Sequence, residues 1–364
     1  MNMFLRTTSN RPLRVALVSL VLLLLFVGTI LVNHRWDPMV FVMEGTMFSE
    51  ANPAGTRGYD GQFVYYIARD PLNAVTYLDL PAHRYQRIVY PLLTWLLSLG
   101  GKLVLVPWVM VLINLGSAAV AVGLLAKFLE DRGANPWYAL TLLTYIGLLF
   151  TVRADLNEPL ALALALGGWV AYEKSRLRLA ILLFALAGLA KEVGLIFPLA
   201  LALVEAIRQN WRRAIILAVG SIAPYLILFT LLRLMYGSPT VATTLILIPF
   251  AGLRYQTDPV SLAVIGLWVL FPAIVAGLWA TVDYWRKGVL EQRHLIFLVV
   301  AHLALIATMP RFTWVDPLAT LRVGLGSLVT IMIWLAAYHP RLLPFAAALW
   351  APSGLLLLLM PGIL

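Results

Sequence analysis

Long apolar stretches alternate with short polar turns along most of the chain. The longest of them cover residues 15–32, 103–126, 214–232, 260–282, 294–309 and 319–338. A helix rises about 1.5 Å per residue, so stretches of this kind can cross a hydrocarbon core of about 30 Å. We predict that each forms a transmembrane helix. The first exceeds the length of a cleavable signal segment and has no small-residue cleavage site after it, so we interpret it as a retained anchor.

Five further apolar stretches bring the predicted total to about eleven crossings. They cover residues 137–151, 156–172, 177–190, 193–207 and 342–360. Two of them, 137–151 and 177–190, would be only about 22 Å long as helices. We therefore expect the turns that follow them, at 152–158 and at Lys191-Glu192, to lie below the outer lipid surface. Charges at that depth are costly unless they line a wet or ligand-filled cavity.

The longest segment that does not span the membrane covers residues 33–102 and is rich in aromatic and aliphatic residues. Within it, residues 62–69 and 85–99 both show helical spacing of apolar positions. Prolines punctuate these two runs. We predict a long first loop that contains two helices lying along the outer membrane interface.

The composition agrees with a membrane protein, since 62% of the residues are hydrophobic and only 12% are charged. A soluble domain normally carries about 25% charged residues. With alternating sides, the side of the N-terminus holds fifteen basic and six acidic residues, and the other side holds twelve and eleven. This asymmetry predicts a cytoplasmic N-terminus and an outward first loop, and it explains the net charge of +10 without a nucleic-acid partner. The absence of cysteine excludes disulfides and thiolate chemistry.

The strongest local constellation lies in the first loop and begins with Gly58-Tyr59-Asp60-Gly61-Gln62. The flanking glycines let the backbone turn tightly and can present Asp60 away from the helix that follows. Arg84 and Arg87 are three residues apart, so on a helix they share one face and can jointly hold a phosphate. The alternative is structural: Asp60 caps the helix that starts near Gln62, and the two arginines snorkel at the interface.

Further charged residues of the outer turns are candidates for the same site. Glu158 follows Arg153 and Asp155 at the start of an apolar stretch, where an acid near a helix N-terminus is favourable in any case. Lys191 and Glu192 form a turn whose two charges can simply neutralise each other. A last group surrounds the outer end of the 294–338 hairpin and ranks lower: Arg311, Asp316 and Arg322.

The segments GYDGQFVYYIARDP, AHRYQRIVYPLL, RADLNEPLALALA and GLAKEVGLIFPLAL, together with the arrangement of spans, resemble the GT-C superfamily of polytopic glycosyltransferases, in particular its mannosyltransferase-like bacterial members. The resemblance covers most of the chain in topology and only these segments in motif. It implies an all-α transmembrane bundle, a sugar donor attached to a polyprenyl phosphate, and an essential acid in the first outer loop.

On that resemblance Asp60 matches the acid of the first loop and would act as general base on the acceptor hydroxyl. Arg84, Arg87 and Lys191 become the candidates for the donor phosphate. The supporting or substrate-binding candidates are Tyr59, Gln62, His83, Tyr85, Arg153, Asp155, Glu158, Glu192, Arg311 and Arg322. The first loop has no Asp-x-Asp motif, so we expect no requirement for a metal.

We therefore expect one GT-C-like domain across residues 1–364, without a separate soluble domain. Its expected function is an inverting transfer of a monosaccharide from a polyprenyl-phosphate donor to a glycan, lipid or protein acceptor on the extracytoplasmic side of the cell membrane. A transporter or flippase of a lipid-linked or anionic substrate is the alternative. Transporters typically show inverted repeats and midplane sites, whereas the charges here gather at one face and no repeat is evident. A third alternative, a non-catalytic membrane scaffold, would not need the mixed charges of the outer loops.

Overall fold

The computed structural model describes residues 10–237, 245–287 and 293–360, and these residues form helices and turns without β-strands. The first α-helices are α1 (Arg11–Asn33), α2 (Met39–Val42), α3 (Thr46–Ser49), α4 (Gly61–Arg69), α5 (Pro81–Tyr85), α6 (Val89–Leu97), α7 (Val106–Asp131), α8 (Leu140–Thr144), α9 (Ile146–Arg153) and α10 (Glu158–Glu173). The others are α11 (Leu177–Ala190), α12 (Ile196–Ile207), α13 (Trp211–Tyr236), α14 (Pro259–Ile265), α15 (Phe271–Lys287), α16 (Arg293–Ala307), α17 (Arg311–Val315), α18 (Pro317–Tyr338) and α19 (Leu343–Trp350).

Six helical segments in the described part of the chain are long and apolar enough to cross a membrane. They are Arg11–Asn33, Val106–Asp131, Trp211–Tyr236, Pro259–Arg286, Pro317–Tyr338 and Pro340–Leu359. The prediction of a helical membrane protein is confirmed at this level. The predicted span at 294–309 appears as the shorter apolar helix α16, and the total of about eleven crossings stays a prediction.

Two predicted helices are interrupted in the structure. In the predicted run 85–99, Tyr85 is the last residue of α5, and a separate helix, α6, begins at Val89. Pro91 has no N–H to donate and is tolerated in the first turn of a helix but not in its interior, which accounts for the break. The predicted span 137–151 divides at Tyr145, whose backbone is extended (φ −71°, ψ 127°). Its hydroxyl donates to the carbonyl oxygen of Leu321 at 2.9 Å, which ties this break to α18.

Helix α18 lies at the centre of the bundle, because 83% of its most apolar window is buried, against 17% for α13. Large aromatic side chains fill the core beside it. The indole of Trp169 on α10 lies 4.5 Å from the ring of Phe128 on α7 and 6.0 Å from that of Phe197 on α12, measured between centroids. This packing fixes the relative positions of α7, α10 and α12.

Helices α10, α11 and α12 have only 16, 14 and 12 residues. At about 1.5 Å per residue all three are shorter than a hydrocarbon core of about 30 Å. The charged residues in the turn before α10 and directly after α11 are enclosed by protein, since Asp155 is 0% exposed and Lys191 is 6% exposed. The short hairpins therefore bring charge into the interior of the bundle, while the depth of these turns in the membrane stays a prediction.

Candidate functional site

Asp60 lies immediately before α4, at a point where two backbones almost touch. A Cβ atom on Gly61 would lie 2.2 Å from the carbonyl oxygen of Ala154, so only glycine fits there. The carboxylate of Asp60 makes no hydrogen bond to the N-terminus of α4. The capping interpretation of this residue is therefore wrong, and its side chain is directed to other partners.

Those partners are two guanidinium groups from distant parts of the chain. Arg84 Nη1 donates to Asp60 Oδ1 at 2.9 Å, and Arg322 Nη2 donates to Oδ2 at 3.3 Å. Burial by itself raises the pKa of the Asp60 carboxyl, but the positive charges of Arg84, Arg322 and Arg87 outweigh it and hold that pKa well below its usual range. Asp60 is therefore a fixed negative charge between positive ones.

Arg84 is held on three sides. Its Nε and Nη2 donate to the two carboxylate oxygens of Asp79 at 2.7 and 2.8 Å, in a bidentate pair. Its guanidinium carbon lies 4.0 Å from the ring centroid of Phe63. The side chain is only 9% exposed, so the expectation of a snorkelling arginine is wrong. The bidentate pair with Asp79 orients the guanidinium, so that Nη1 is presented to Asp60 or to an oxyanion that replaces it.

Arg87 reaches a different turn of the protein. Its Nε and Nη2 donate to the two carboxylate oxygens of Glu192 at 2.9 and 2.6 Å, across 105 residues of sequence. The ring of His83 lies nearby and has its Nδ1 3.1 Å from Nε2 of Gln86. Burial, followed by the positive charge of Arg87, lowers the pKa of His83 to about 3. His83 is thus neutral at ordinary pH.

Glu158 and Lys191 form the innermost ion pair, with the Lys191 ammonium donating to Glu158 Oε1. Arg322 Nε lies 3.4 Å from the same oxygen. Both carboxylate and ammonium are almost fully buried, at 4% and 7% side-chain exposure. The extended backbone of Lys191 (φ −160°, ψ 132°) ends α11 and points the side chain inward. Arg322 consequently bridges Asp60 and Glu158.

These side chains surround one small pocket with a cavity volume of about 20 Å³. Its charged lining comprises four cations and two carboxylates: Arg84, Arg87, Lys191, Arg322, Asp60 and Glu158. The remaining lining residues are Phe63, Val64, Ile67, Pro91, Leu156 and Asn157. Because Asp79 and Glu192 reach the arginines from outside, the cations exceed the acids on the inner wall. The pocket therefore favours an anionic ligand, and we call it the charged pocket.

A second small pocket, with a cavity volume of about 30 Å³, shares Glu158 and Arg322 with the charged pocket. Its other lining residues are mostly apolar and come from α10, the turn before α12, and α12, α16 and α18: Ala161, Leu162, Ala165, Val193, Gly194, Phe197, His302, Leu305, Val323, Leu325 and Gly326. We call it the apolar pocket. The lining of two pockets that meet in this way matches the chemistry of a ligand with a charged head and a hydrocarbon tail.

Two predicted site residues instead hold the first loop in place. Gln62 donates from Nε2 to the carbonyl oxygen of Arg57 at 2.7 Å and accepts from the backbone N–H of Gly45 at 3.0 Å. Arg153 is 2% exposed and donates from Nη1 to the carbonyl oxygen of Val40 at 2.6 Å. Neither lines the charged pocket, so of the two predicted roles, substrate binding or support, these contacts favour support for both residues.

Tyr85 and Arg311 also lie away from the charged pocket. The Tyr85 hydroxyl donates to the carbonyl oxygen of Pro71 at 2.9 Å, and its ring stacks on Tyr236 at 6.1 Å. Arg311 is exposed, with its guanidinium carbon 4.7 Å from the ring centroid of Tyr255. The structure therefore brings neither of these two predicted residues to the site.

Tyr59 and Asp155 border the site without lining it. The Tyr59 hydroxyl donates to Asp316 Oδ2 at 2.7 Å, and the guanidinium carbon of Arg322 lies 5.3 Å from the Tyr59 ring centroid. Asp155 is completely buried and accepts from Asn114 Nδ2 at 3.1 Å. Tyr59 thus contacts Arg322 without lining the pocket. Asp155 belongs to the packing of α7 against the turn before α10.

Three neighbours of the site are missed or ranked low by reasoning from the sequence. Asp79 orients Arg84, Asn157 lines the charged pocket, and Asp316 holds Tyr59 while accepting from the N–H of Leu318 at the start of α18. Asp316 directly before Pro317 is an ordinary helix-start signal, so its second role has no local signature. Asp79 lies two residues before Pro81, and only the fold turns it toward Arg84.

Among the described residues, no three histidine or acidic side chains cluster as metal ligands would. Comparison of the chain with protein-family models, with curated proteins and with solved structures found no match. The chemistry of the charged pocket and of the apolar pocket is therefore the basis for a function.

Proposed function

We propose that this chain is a GT-C-type inverting glycosyltransferase that uses a polyprenyl-phosphate sugar as donor. The observation that carries the proposal is the junction of the two pockets at Glu158 and Arg322. A polyprenyl-phosphate sugar has a phosphodiester between a sugar and a long hydrocarbon, and each part finds a matching surface. The phosphate faces the cations of the charged pocket, and the first isoprene units lie in the apolar pocket.

In the proposed reaction an acceptor hydroxyl oxygen attacks the anomeric carbon from the face opposite the phosphate. The bond between that carbon and the phosphate oxygen breaks, and its electron pair stays on the phosphate. The proton of the hydroxyl passes to the carboxylate of Asp60 and from there to water. The leaving phosphate gains a negative charge, which the cations of the charged pocket stabilise. The product sugar has the inverted configuration.

The ion pairs of Asp60 give the phosphate a second role. A carboxylate whose pKa is far below the working pH is a weak base. When a donor phosphate forms ion pairs with Arg84 and Arg322, these arginines stabilise the negative charge of Asp60 less. The pKa of Asp60 then rises toward its ordinary value. Donor binding thereby prepares the base, and the carboxylate stays inactive without a donor.

The proposed orientation follows the distribution of basic residues. The ends of α7, α10 and α13 that carry most of the basic residues face the cytoplasm in this proposal, in accord with the positive-inside rule. The charged pocket then opens on the extracytoplasmic side of the cell membrane. An acceptor glycan, lipid or protein reaches it from that side, through the first loop.

Transfer can be separated from transport with one preparation. The purified protein is reconstituted in vesicles with a doubly labelled donor, carrying one isotope in the sugar and another in the polyprenyl chain, together with extracted membrane glycolipids as acceptors. We expect the sugar label to move to the acceptor while the polyprenyl label stays on free polyprenyl phosphate, which accumulates at the rate of sugar transfer. Movement of both labels together across the vesicle membrane, without their separation, would contradict the proposal and favour a flippase.

A further inference from the structure

A second polar cleft lies at the opposite end of α10 from the charged pocket. It has a cavity volume of about 380 Å³ and is lined by Asp131, Arg132, Tyr172, Glu173, Ser175, Glu205, Arg208, Arg213 and His294. Helix α10 runs from Glu158 in the charged pocket to Glu173 in this cleft, a distance of about 22 Å at helical rise. We call it the distal cleft, and its residues have no role in the proposed transfer.

The acidic groups of the distal cleft already have donors. Glu205 is 1% exposed and accepts from the Tyr172 hydroxyl and, at 3.0 Å, from Nδ2 of Asn210. The other two carboxylates pair with basic side chains: Asp131 with Lys127 at 2.8 Å, and Glu173 with Arg132 at 2.8 Å. An additional cation or hydrogen-bond donor would therefore find few free acceptors in the cleft.

The basic groups retain free donors. Arg208 is exposed and makes no ion pair within the described residues. Arg213 is 38% exposed and forms an ion pair with Glu205, with its Nε 3.6 Å from Oε1, but this distance is too long for a hydrogen bond and leaves the Nε donor unused. Its guanidinium carbon lies 5.0 Å from the ring centroid of Tyr172, which holds the group over the cleft. Free donors beside satisfied acceptors define a site for an anion.

The surface beside these two arginines indicates where the anion comes from. Leu203 and Ile207 on α12 are 49% and 37% exposed, and Trp211 and Ile215 on α13 are 57% and 59% exposed. They form an apolar flank at the end of a membrane helix, with a tryptophan at the position typical of the lipid interface. An anion that arrives here with hydrocarbon chains can bury them on this flank.

We propose that the distal cleft binds the phosphodiester of an anionic phospholipid, with Arg208 and Arg213 on the phosphate and the acyl chains on the flank of α12 and α13. Basic pockets between membrane helices recognise lipid headgroups in this way. General attraction between basic loops and an anionic membrane would instead act alike on every exposed basic residue of this side. Arg178 at the start of α11 is also exposed, but it does not line the distal cleft.

Lipid binding to the full-length protein in a neutral detergent tests this proposal. Native mass spectrometry gives dissociation constants for phosphatidylglycerol, phosphatidylcholine and soluble glycerol 3-phosphate. We expect phosphatidylglycerol to bind at least about tenfold more tightly than the other two, and Arg208→Gln to remove about that factor, as for loss of a hydrogen bond to a charged group. Arg178→Gln is the matched control and should stay within about twofold of the unmodified protein.

Three results would overturn the proposal. Equal weakening by Arg178→Gln and Arg208→Gln would show attraction to the face as a whole rather than a site. Equal binding of phosphatidylcholine would remove the role of charge, and equal binding of glycerol 3-phosphate would remove the role of the acyl chains. Arg208 is exposed, so its replacement should leave folding intact, and an unchanged melting temperature confirms that. The sugar-transfer proposal is independent of all three results.

Discussion

Asp60 retains its negative charge because guanidinium groups lie 2.9 and 3.3 Å from it. The same contacts stop it from accepting a proton until a competing anion arrives. Arg322, which supplies one of them, is 262 residues away in sequence and lies in the second turn of α18. Its position six residues into a hydrophobic helix is the kind of intramembrane charge that marks a site. The sequence analysis, which used local spacing, ranked Arg322 too low among the candidate site residues.

His83 provides a test of the electrostatics around Arg87. Its pKa is lowered to about 3 in the folded protein, whereas an unfolded histidine titrates near 6.5. Between these values the unfolded chain binds the additional proton, so stability falls as the pH falls through that window, by up to about 1.4 kcal/mol per pH unit. Melting temperatures of the wild type and His83→Gln between pH 7 and pH 4 should diverge, with the variant less acid-sensitive. Parallel curves would contradict the assignment.

The pair of Glu158 and Lys191 provides a second test. Removing one partner of a buried ion pair costs about 3–5 kcal/mol. Lys191→Met leaves Glu158 with Arg322 at 3.4 Å, whereas Glu158→Gln leaves two cations facing a neutral amide. We therefore expect the second variant to melt at the lower temperature. The double variant should recover part of the loss, because it leaves no unpaired ammonium. A more harmful Lys191→Met would contradict this order.

At the scale of the element, most helices were predictable, because apolar runs of about twenty residues have few alternatives. Predicted and observed limits differ by a few residues for α1, α7, α13 and α18. The breaks at Tyr145 and before Val89 were not predicted, since tertiary contacts and one proline decide them. The sequence also identified Asp60, Arg84, Arg87 and Lys191 as neighbours, although nothing local distinguished Arg153, which turns to the backbone of Val40 instead.

Gly61 sets the position of α4 and therefore of Asp60. Gly61→Ala would place a methyl group 2.2 Å from the carbonyl oxygen of Ala154. Relief of such a clash costs about 1–3 kcal/mol and should displace Asp60. Gly116→Ala on α7 is the control, since nothing lies within 4 Å of its added Cβ, and a helical glycine gains about 0.5–1 kcal/mol on this change. The melting temperature should fall in Gly61→Ala and not in Gly116→Ala. Equal melting temperatures of the two variants would contradict the close contact at Gly61.

At the scale of the whole molecule, the two polar sites lie at opposite ends of the bundle. Helix α10 connects them, with Glu158 in the charged pocket and Glu173 in the distal cleft, and both sites are lined by helix ends and turns. The charged pocket needs the first loop to complete it, whereas the distal cleft is made by turns between helices. One end therefore serves the proposed chemistry, and the other the proposed lipid contact.

The predicted orientation can be measured directly, because the chain has no cysteine of its own. Ala54 in the first loop and Lys174 after α10 are both exposed. With an outward first loop, a membrane-impermeant maleimide should label Ala54→Cys in intact cells and label Lys174→Cys only after the membrane is opened. Labelling of the second position in intact cells, with protection of the first, would reverse the orientation.

The most direct test of the account compares two variants that each remove one carboxylate from Arg84. Asp60→Asn removes the proposed base and leaves Asp79 on the guanidinium, whereas Asp79→Asn removes the outer partner and leaves Asp60. With a labelled polyprenyl-phosphate sugar, release of polyprenyl phosphate should fall about 10²–10⁴-fold in Asp60→Asn, while donor binding persists. Asp79→Asn should keep most of the turnover. Wild-type turnover in Asp60→Asn, or an equal loss in both variants, would contradict the role of Asp60.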